Sequence, residues 1–262
     1  MDVPNYLYKY KSFDSNGYWE RLLRHQEIFF ASPNMFNDPF ECKARFDYVA
    51  SRSKKISRYA FQLWVSFGEQ GEPEDYIELS RDMVDGGRVG NEVHRKEVEE
   101  LMHKKQNDIF AILSLSEDPE NILMWSHYAD NHTGFCVEFN TSYGRVPFGS
   151  AREVQYHKHF PVLNWWEDSI FDIYKSMVFN KSDGWSYEKE WRVFDGYGKG
   201  VRKFRAKAVS GIYMGCQISE ENACKLVSIA KSFPFEIKVY ASKIKEREYS
   251  LDFSEVDKKA FL

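Results

Sequence analysis

Short runs with a two-residue hydrophobic period recur along this chain, yet their spacing is too irregular for a repeating strand–helix–strand frame. Residues 6–10, Tyr-Leu-Tyr-Lys-Tyr, alternate and are rich in rings, which predicts a first strand. Residues 27–31, 109–115, 134–140, 190–195, 209–214, 236–241 and 249–253 read as further strands. The helical patterns between them differ widely in length. One covers 18–25 with Trp19, Leu22 and Leu23 inward, and another covers 162–178 with Ile170, Ile173, Tyr174 and Met177 at helical spacing. A third follows the N-cap Ser219, carries Ala223, Leu226, Val227 and Ala230, and ends before Pro234. This mixture points to the α+β class, with a mixed or mostly antiparallel sheet, split or unsplit, flanked by helices. No internal repeat is visible, and the chain fits a single domain, 1–262.

The texture changes over residues 51–108. Charged residues dominate, Glu92 with Lys96 and Glu100 with Lys104 form i,i+4 pairs, and Val98, Leu101 and Met102 make a narrow apolar stripe. Glycines at 86, 87 and 90 interrupt the pattern. The segment is expected to be a charged helical insertion within the domain, acting as a lid or a packing module.

Several classes of protein are disfavoured. No run approaches the roughly 18 apolar residues of a membrane span. The first six residues lack the basic-then-apolar pattern of a leader, and Cys42, Cys136, Cys216 and Cys224 form no Cys-x-x-Cys pair; reduced thiols and a cytoplasmic location are expected. The net charge of −4 argues against a protein that coats nucleic acid. Lys199, Arg202, Lys203, Arg205 and Lys207 nevertheless form a cationic run. If extended, Lys203, Arg205 and Lys207 share a face, either as a charged edge strand or as a phosphate-facing edge for a nucleotide, a nucleic acid or a protein acceptor. The glycine-rich loop 196–200 fails the dinucleotide fingerprint because Val201 stands where a third glycine belongs, so it reads as a hairpin turn. His127 and His132, and His157 and His159, belong to no zinc framework, and no metal is expected.

Rings are abundant, 21 Phe, 16 Tyr and 7 Trp, and they gather around polar groups. In Ser114-Leu115-Ser116 both hydroxyls project to one face of a strand. Trp125, His127 and Tyr128 fall within four positions and form either a packed helix or a stacking wall for a flat ligand. In Trp185-Ser186-Tyr187-Glu188-Lys189-Glu190-Trp191-Arg192, an extended backbone puts Glu188 and Glu190 on one face, roughly 6.6–6.8 Å apart. Such neighbours push one pKa upward unless a cation intervenes, and Arg192 is placed to neutralise Glu190 while Lys189 points away.

Leu7-Tyr8-Lys9-Tyr10, Asn37-Asp38-Pro39-Phe40, Leu113-Ser114-Leu115-Ser116, Trp125-Ser126-His127-Tyr128-Ala129-Asp130, Gly134-Phe135-Cys136 and Glu188-Lys189-Glu190-Trp191-Arg192 together resemble an uncharacterised bacterial family known as a domain of unknown function. The resemblance spans nearly the whole chain, implies a bacterial or phage-related source and supplies no activity. A second resemblance is to the ADP-ribosyltransferases, in the order of a first-strand polar or basic residue, an S-x-S strand and a late E-x-E. It places Lys9 or Tyr8 at the first position, Ser114 and Ser116 at the second, and Glu188 and Glu190 at the third. The first-strand residue is Lys where Arg or His is usual, and S-L-S lacks a central Thr. This likeness implies NAD as co-substrate, in a toxin or anti-phage effector. Glu190 would stabilise an oxocarbenium-like ribose, Glu188 would act as general base, Tyr128 or Trp125 would stack on nicotinamide, Lys9 would meet the pyrophosphate and Ser114 would orient its neighbours.

Two other readings stand beside it. A metal-dependent nuclease would draw carboxylates from Asp38, Glu41, Glu138, Glu188 and Glu190, with Lys189 or the basic run near phosphate. A non-enzymatic module would bind a ligand or partner in an aromatic cleft, and requires Trp125 to border a cavity.

Overall fold

All but one of the period-two runs are satisfied by one large sheet with its apolar faces covered; the run at 27–31 forms a separate two-stranded sheet. The computed structural model describes residues 2–143 and 147–260. It runs β1 (Tyr6–Lys11), α1 (Tyr18–Arg24), β2 (Glu27–Phe30), β3 (Arg45–Asp47), α2 (Arg52–Ser66), α3 (Ile77–Asp85), α4 (Glu92–Ile109), β4 (Ala111–Ser116), α5 (Ile122–Tyr128) and β5 (Phe135–Asn140). There follow β6 (Arg152–Glu153), β7 (Gln155–His157), β8 (Val162–Asn164), α6 (Ile170–Phe179), β9 (Asn180–Ser182), β10 (Glu190–Asp195), β11 (Gly200–Lys203), β12 (Val209–Met214), α7 (Glu220–Lys231), β13 (Lys238–Ile244) and β14 (Leu251–Glu255). Eight strands form the main sheet in the order β14-β13-β12-β5-β1-β4-β10-β6. Only the β12–β13 neighbours are parallel, so the class is α+β with a mixed, mostly antiparallel sheet.

Alternation sorts the strands into two faces. Leu7, Leu113, Leu115, Phe135, Val137 and Phe139 point into a core completed by Trp19, Leu22 and Leu23 of α1 and by Ala223, Leu226, Val227 and Ala230 of α7. Each fully buried Leu or Phe contributes about 1.5–3 kcal/mol there. On the other face Ile112 joins Phe110, Trp166, Ile173, Met177 and Val178, with Val98 and Met102 of α4 packed against them. The charged segment 51–108 is thus helical, and its longest helix contributes to this second core. Ser219 caps α7, its side chain accepting from Asn222 N–H.

Four local readings are corrected. Residues 162–164 are a strand paired in parallel with β3, not the start of a helix. The Asn164 side chain accepts from the N–H groups of Trp166 and Glu167. The Asp168 carboxylate accepts from Asn164 N–H. These side chains satisfy the backbone locally and hold a turn, so α6 begins only after its cap Ser169. Residues 183–188 form a 3-10 turn rather than a strand, and Lys189, at φ 44°, turns the chain into β10. The cationic run does not stay extended either. β11 ends at Lys203 and 206–208 is a 3-10 turn, so Lys203, Arg205 and Lys207 share no strand face. Arg202 is tied to Asp195, at 3.0 Å, and to the Gly198 carbonyl. Nor does loop 196–200 close a hairpin, because β11 pairs with β2 instead of β10.

The main sheet is split between β1 and β4. β1 pairs with β5 along its whole length, from Tyr6 opposite Asn140 to Lys11 opposite Phe135, but with β4 it shares the single pair Tyr8–Ser116. Further along β4, Ile112 pairs with Ala31 instead, through hydrogen bonds of 2.8 and 2.9 Å. Ser114 lies between the two bridges. Alternation along an antiparallel strand turns its main-chain N–H and C=O to the same side as those of Ile112 and Ser116, which is the open gap. Lys9 Nζ fills part of that gap and donates to the Ser114 carbonyl at 2.8 Å.

Candidate active site

A cleft of about 920 Å³ runs through the split, a size at the upper end of small-ligand sites. On one side of the sheet it is lined by Ser114, Ser116, His127, Tyr128, Glu188 and Glu190, and beyond the split it continues past Lys9, Lys11 and Arg21. No residue of 51–108 lines it. The helical insertion therefore supports the cleft through the core behind it and does not cover it.

The floor is a dense ionic network. Lys181 Nζ, in β9, donates to Glu188 Oε2 at 2.5 Å and Glu190 Oε2 at 3.2 Å, and pairs with Glu41 Oε1 at 2.9 Å. Arg192 grips Glu190 with a fork, Nε to Oε1 at 2.7 Å and Nη2 to Oε2 at 2.9 Å. The same Arg192 donates from Nη2 to Glu41 Oε2 and from Nη1 to the Val178 carbonyl. Tyr128 OH donates to Glu188 Oε1 at 2.6 Å, and Glu190 N–H donates to Tyr156 OH at 2.8 Å. The Ser116 hydroxyl donates to the Glu188 carbonyl at 2.6 Å, which fixes the turn before β10. Arg192 is fully buried, and Lys181, Glu188 and Glu190 nearly so. Charges this dry are tolerated because each is paired and hydrogen-bonded.

The two neighbouring glutamates are driven apart. Burial by itself would raise the Glu190 carboxyl, but Arg192 and then Lys181 outweigh it and hold the pKa near 2, with the Ser114 hydroxyl adding to the effect. Glu188 is pushed up, first by burial and then by the charge on Glu190, against the pull of Lys181. The two carboxyls thus differ in the direction of their shift, Glu190 down and Glu188 up. Because its folded pKa is depressed, Glu190 contributes stability that is complete above the ordinary value of 4.5 and is lost as pH falls toward about 2. Thermal midpoints measured between pH 5 and pH 2.5 should therefore fall steeply for the wild type and more gently for Glu190→Gln. Parallel curves would contradict the Arg192–Glu190 assignment.

Most of the residues singled out in the sequence meet here. Tyr8, Lys9, Ser114, Ser116, His127, Tyr128, Glu188 and Glu190 line the cleft, and Arg192 lies beneath it. Lys189 points away to Asp118, at 2.9 Å. Trp125 is the exception and corrects the expected stacking wall. It is fully buried, its Nε1 donates to the Pro119 carbonyl at 2.8 Å, and it packs edge-on to Tyr10 within a small core behind the cleft wall, so that it does not line the cleft itself. On this seven-residue helix Trp125 takes the fully buried position, while Met124, His127 and Tyr128 border the opening. Glu138, a carboxylate of the nuclease reading, sits apart and accepts from Tyr8, Tyr213 and Ser210. Among the described residues, no group of three or more His, Cys, Asp or Glu is placed to hold a metal ion.

Lys181 and the anchoring role of Glu41 escaped the sequence. Lys181 stands in Asn-Lys-Ser after an apolar helix, a context without pattern. Glu41 directly follows the Asn-Asp-Pro-Phe motif, the one signal that could have raised it.

Residues 124–193 match the family described as "Protein of unknown function (DUF2971)". The DUF2971 stretch holds three of the six ordered motifs, Trp125–Asp130, Gly134–Cys136 and Glu188–Arg192. It supplies α5, Lys181, both glutamates and Arg192, while Lys9, Glu41, Ser114 and Ser116 come from outside it. The likeness to an uncharacterised family therefore covers Lys181, Glu188, Glu190 and Arg192 of the ionic network and leaves Glu41 outside. No curated protein and no solved structure matches the chain. Among the described residues, no helix is long and apolar enough to cross a membrane.

Proposed function

We propose that the cleft is the active site of an NAD-consuming enzyme, ADP-ribosyltransferase-like or NAD glycohydrolase-like. The observation that carries this reading is the meeting, at the split, of three neighbouring strands in the required order. β1 brings the basic Lys9, β4 the hydroxyls of Ser114 and Ser116, and β10 with the 3-10 turn before it the carboxylates Glu190 and Glu188.

The chemistry follows from charge. The bond between ribose C1′ and the nicotinamide nitrogen breaks, and nicotinamide leaves neutral with the electron pair. Positive charge builds on the sugar, and a bond forms from C1′ to the oxygen of water or of an acceptor hydroxyl. That oxygen loses its proton to a carboxylate. Glu188 is the better candidate for the reacting group. Its pKa is raised, and its Oε1 is bound by a tyrosine hydroxyl that can yield to a ligand. Glu190 has both oxygens taken by Arg192 and Lys181. It acts as a positioning residue, keeping Lys181 against Glu188, and its negative charge favours the cationic sugar. Tyr128 and His127 supply rings at the same end of the cleft for nicotinamide. The nuclease reading fits less well, because Glu41, Glu188 and Glu190 converge on the ammonium of Lys181. An enzyme that spends cellular NAD also suits a toxin or anti-phage effector.

The test is direct. The protein is incubated with NAD, alone and with nucleic-acid or protein acceptors, and nicotinamide is separated and quantified. Release above a heat-inactivated control is expected. No release under any of these conditions overturns the proposal.

A further inference from the structure

Four cations line the cleft: Lys9, Lys11, Arg21 and Lys181. Lys181 is held by three carboxylates and Arg21 by Glu27, at 2.6 Å. Lys9 touches only a carbonyl, and Lys11 has no hydrogen-bond or ion-pair partner among the described residues. The nearest carboxylate to influence Lys11 is Asp14, which is already engaged in capping α1 through the N–H groups of Tyr18 and Trp19, at 2.8 and 2.9 Å. Lys9 and Lys11 stand two residues apart on β1, so they project from the same face, at the point where β1 and β4 part. The gap between those strands also exposes the main-chain N–H of Ser114. Two ammonium groups, side by side and with no carboxylate in direct contact, flank a backbone donor in an opening through the sheet; Glu190 and Glu188 act on Lys9 only at longer range. Burial first, and next the charge of Lys11, lower the Lys9 pKa to about 8, against the pull of Glu190 and Glu188.

We infer that the gap between β1 and β4 is a diphosphate subsite, in which Lys9, Lys11 and the Ser114 N–H hold the diphosphate of a nucleotide. The inference deepens the NAD-consuming reading and rests on it for the orientation of the ligand. With the diphosphate in the gap, the ribose on one side reaches Glu188, and the other half of the dinucleotide extends past Arg21 toward the exposed rings of Tyr18 and Phe29. Lys11, absent from every motif in the sequence, is the residue this assignment adds.

Calorimetric titration with ADP and with inorganic pyrophosphate tests it. Both should bind the wild type and compete. Lys11→Gln should lose about tenfold in affinity for each, the scale of one charge-assisted contact, and Lys11→Arg should recover most of it. Thermal denaturation of the free variants monitors folding. Lys11→Gln binding both probes like the wild type overturns the subsite, and so does a wild type that binds neither. The two proposals fail separately. Lys11-dependent ADP binding in a protein that releases no nicotinamide leaves the subsite standing without the enzyme. NAD turnover with an unchanged KM in Lys11→Gln leaves the enzyme without the subsite.

Discussion

Glu188→Gln lowers the rate of nicotinamide release from NAD by about 10²–10³, with little change in thermal stability. The size follows from removing the carboxylate proposed to take the proton of the attacking oxygen. The stability side follows from the charge balance of the floor. Glu41, Glu188 and Glu190 face Lys181 and Arg192, so neutralising Glu188 leaves two anions against two cations. A glutamine can accept from Lys181 through its carbonyl and donate to the Tyr128 hydroxyl through its amide, so both partners keep a contact. Steady-state release and a thermal melt on the same preparation check both halves. Wild-type turnover by Glu188→Gln would move the reacting group elsewhere.

Arg192→Met, by contrast, acts on the fold. It strips Glu190 and Glu41 of their shared cation and the Val178 carbonyl of its donor, all inside the protein. Breaking a buried pair from one side costs about 3–5 kcal/mol, and for a chain of this size that lowers the thermal midpoint by on the order of 10 °C. Removing Glu190 as well, in Arg192→Met with Glu190→Met, should recover part of the loss, since the double variant leaves one fewer uncompensated buried charge. An unchanged melt for Arg192→Met would refute the network as drawn. The same reasoning makes Glu190→Gln an ambiguous probe of catalysis, because it disturbs the partner of a fully buried arginine.

The sequence made much of this legible for specific reasons. Alternation along 6–10, 134–140 and 209–214 located the central strands because one face of each is packed, and packing enforces period two. The Glu188–Glu190 pair was visible as spacing, and Arg192 as its neutraliser, since local pairs depend on local geometry. The 3-10 turn at 183–188 was not, although the glutamates still come together through a shared lysine. Lys181 was invisible for a deeper reason: its role is set by groups at positions 41, 188 and 190, which no period or motif connects. Trp125 misled because a ring beside polar residues looks the same in sequence whether it faces a ligand or a core.

Glu41 and Arg192 are 151 residues apart in the chain. Loop closure over such a distance carries a large entropic cost, so contacts of this kind reward folding only after more local pairings have formed. The ionic floor is therefore a checkpoint in time as well as a feature in space. A nascent chain still lacking Lys181 and β10 has its first strand, its serines and Glu41, but no place to gather charge. Whatever the cleft does, it can do only once the chain has been made and folded at least as far as β10 and Val201.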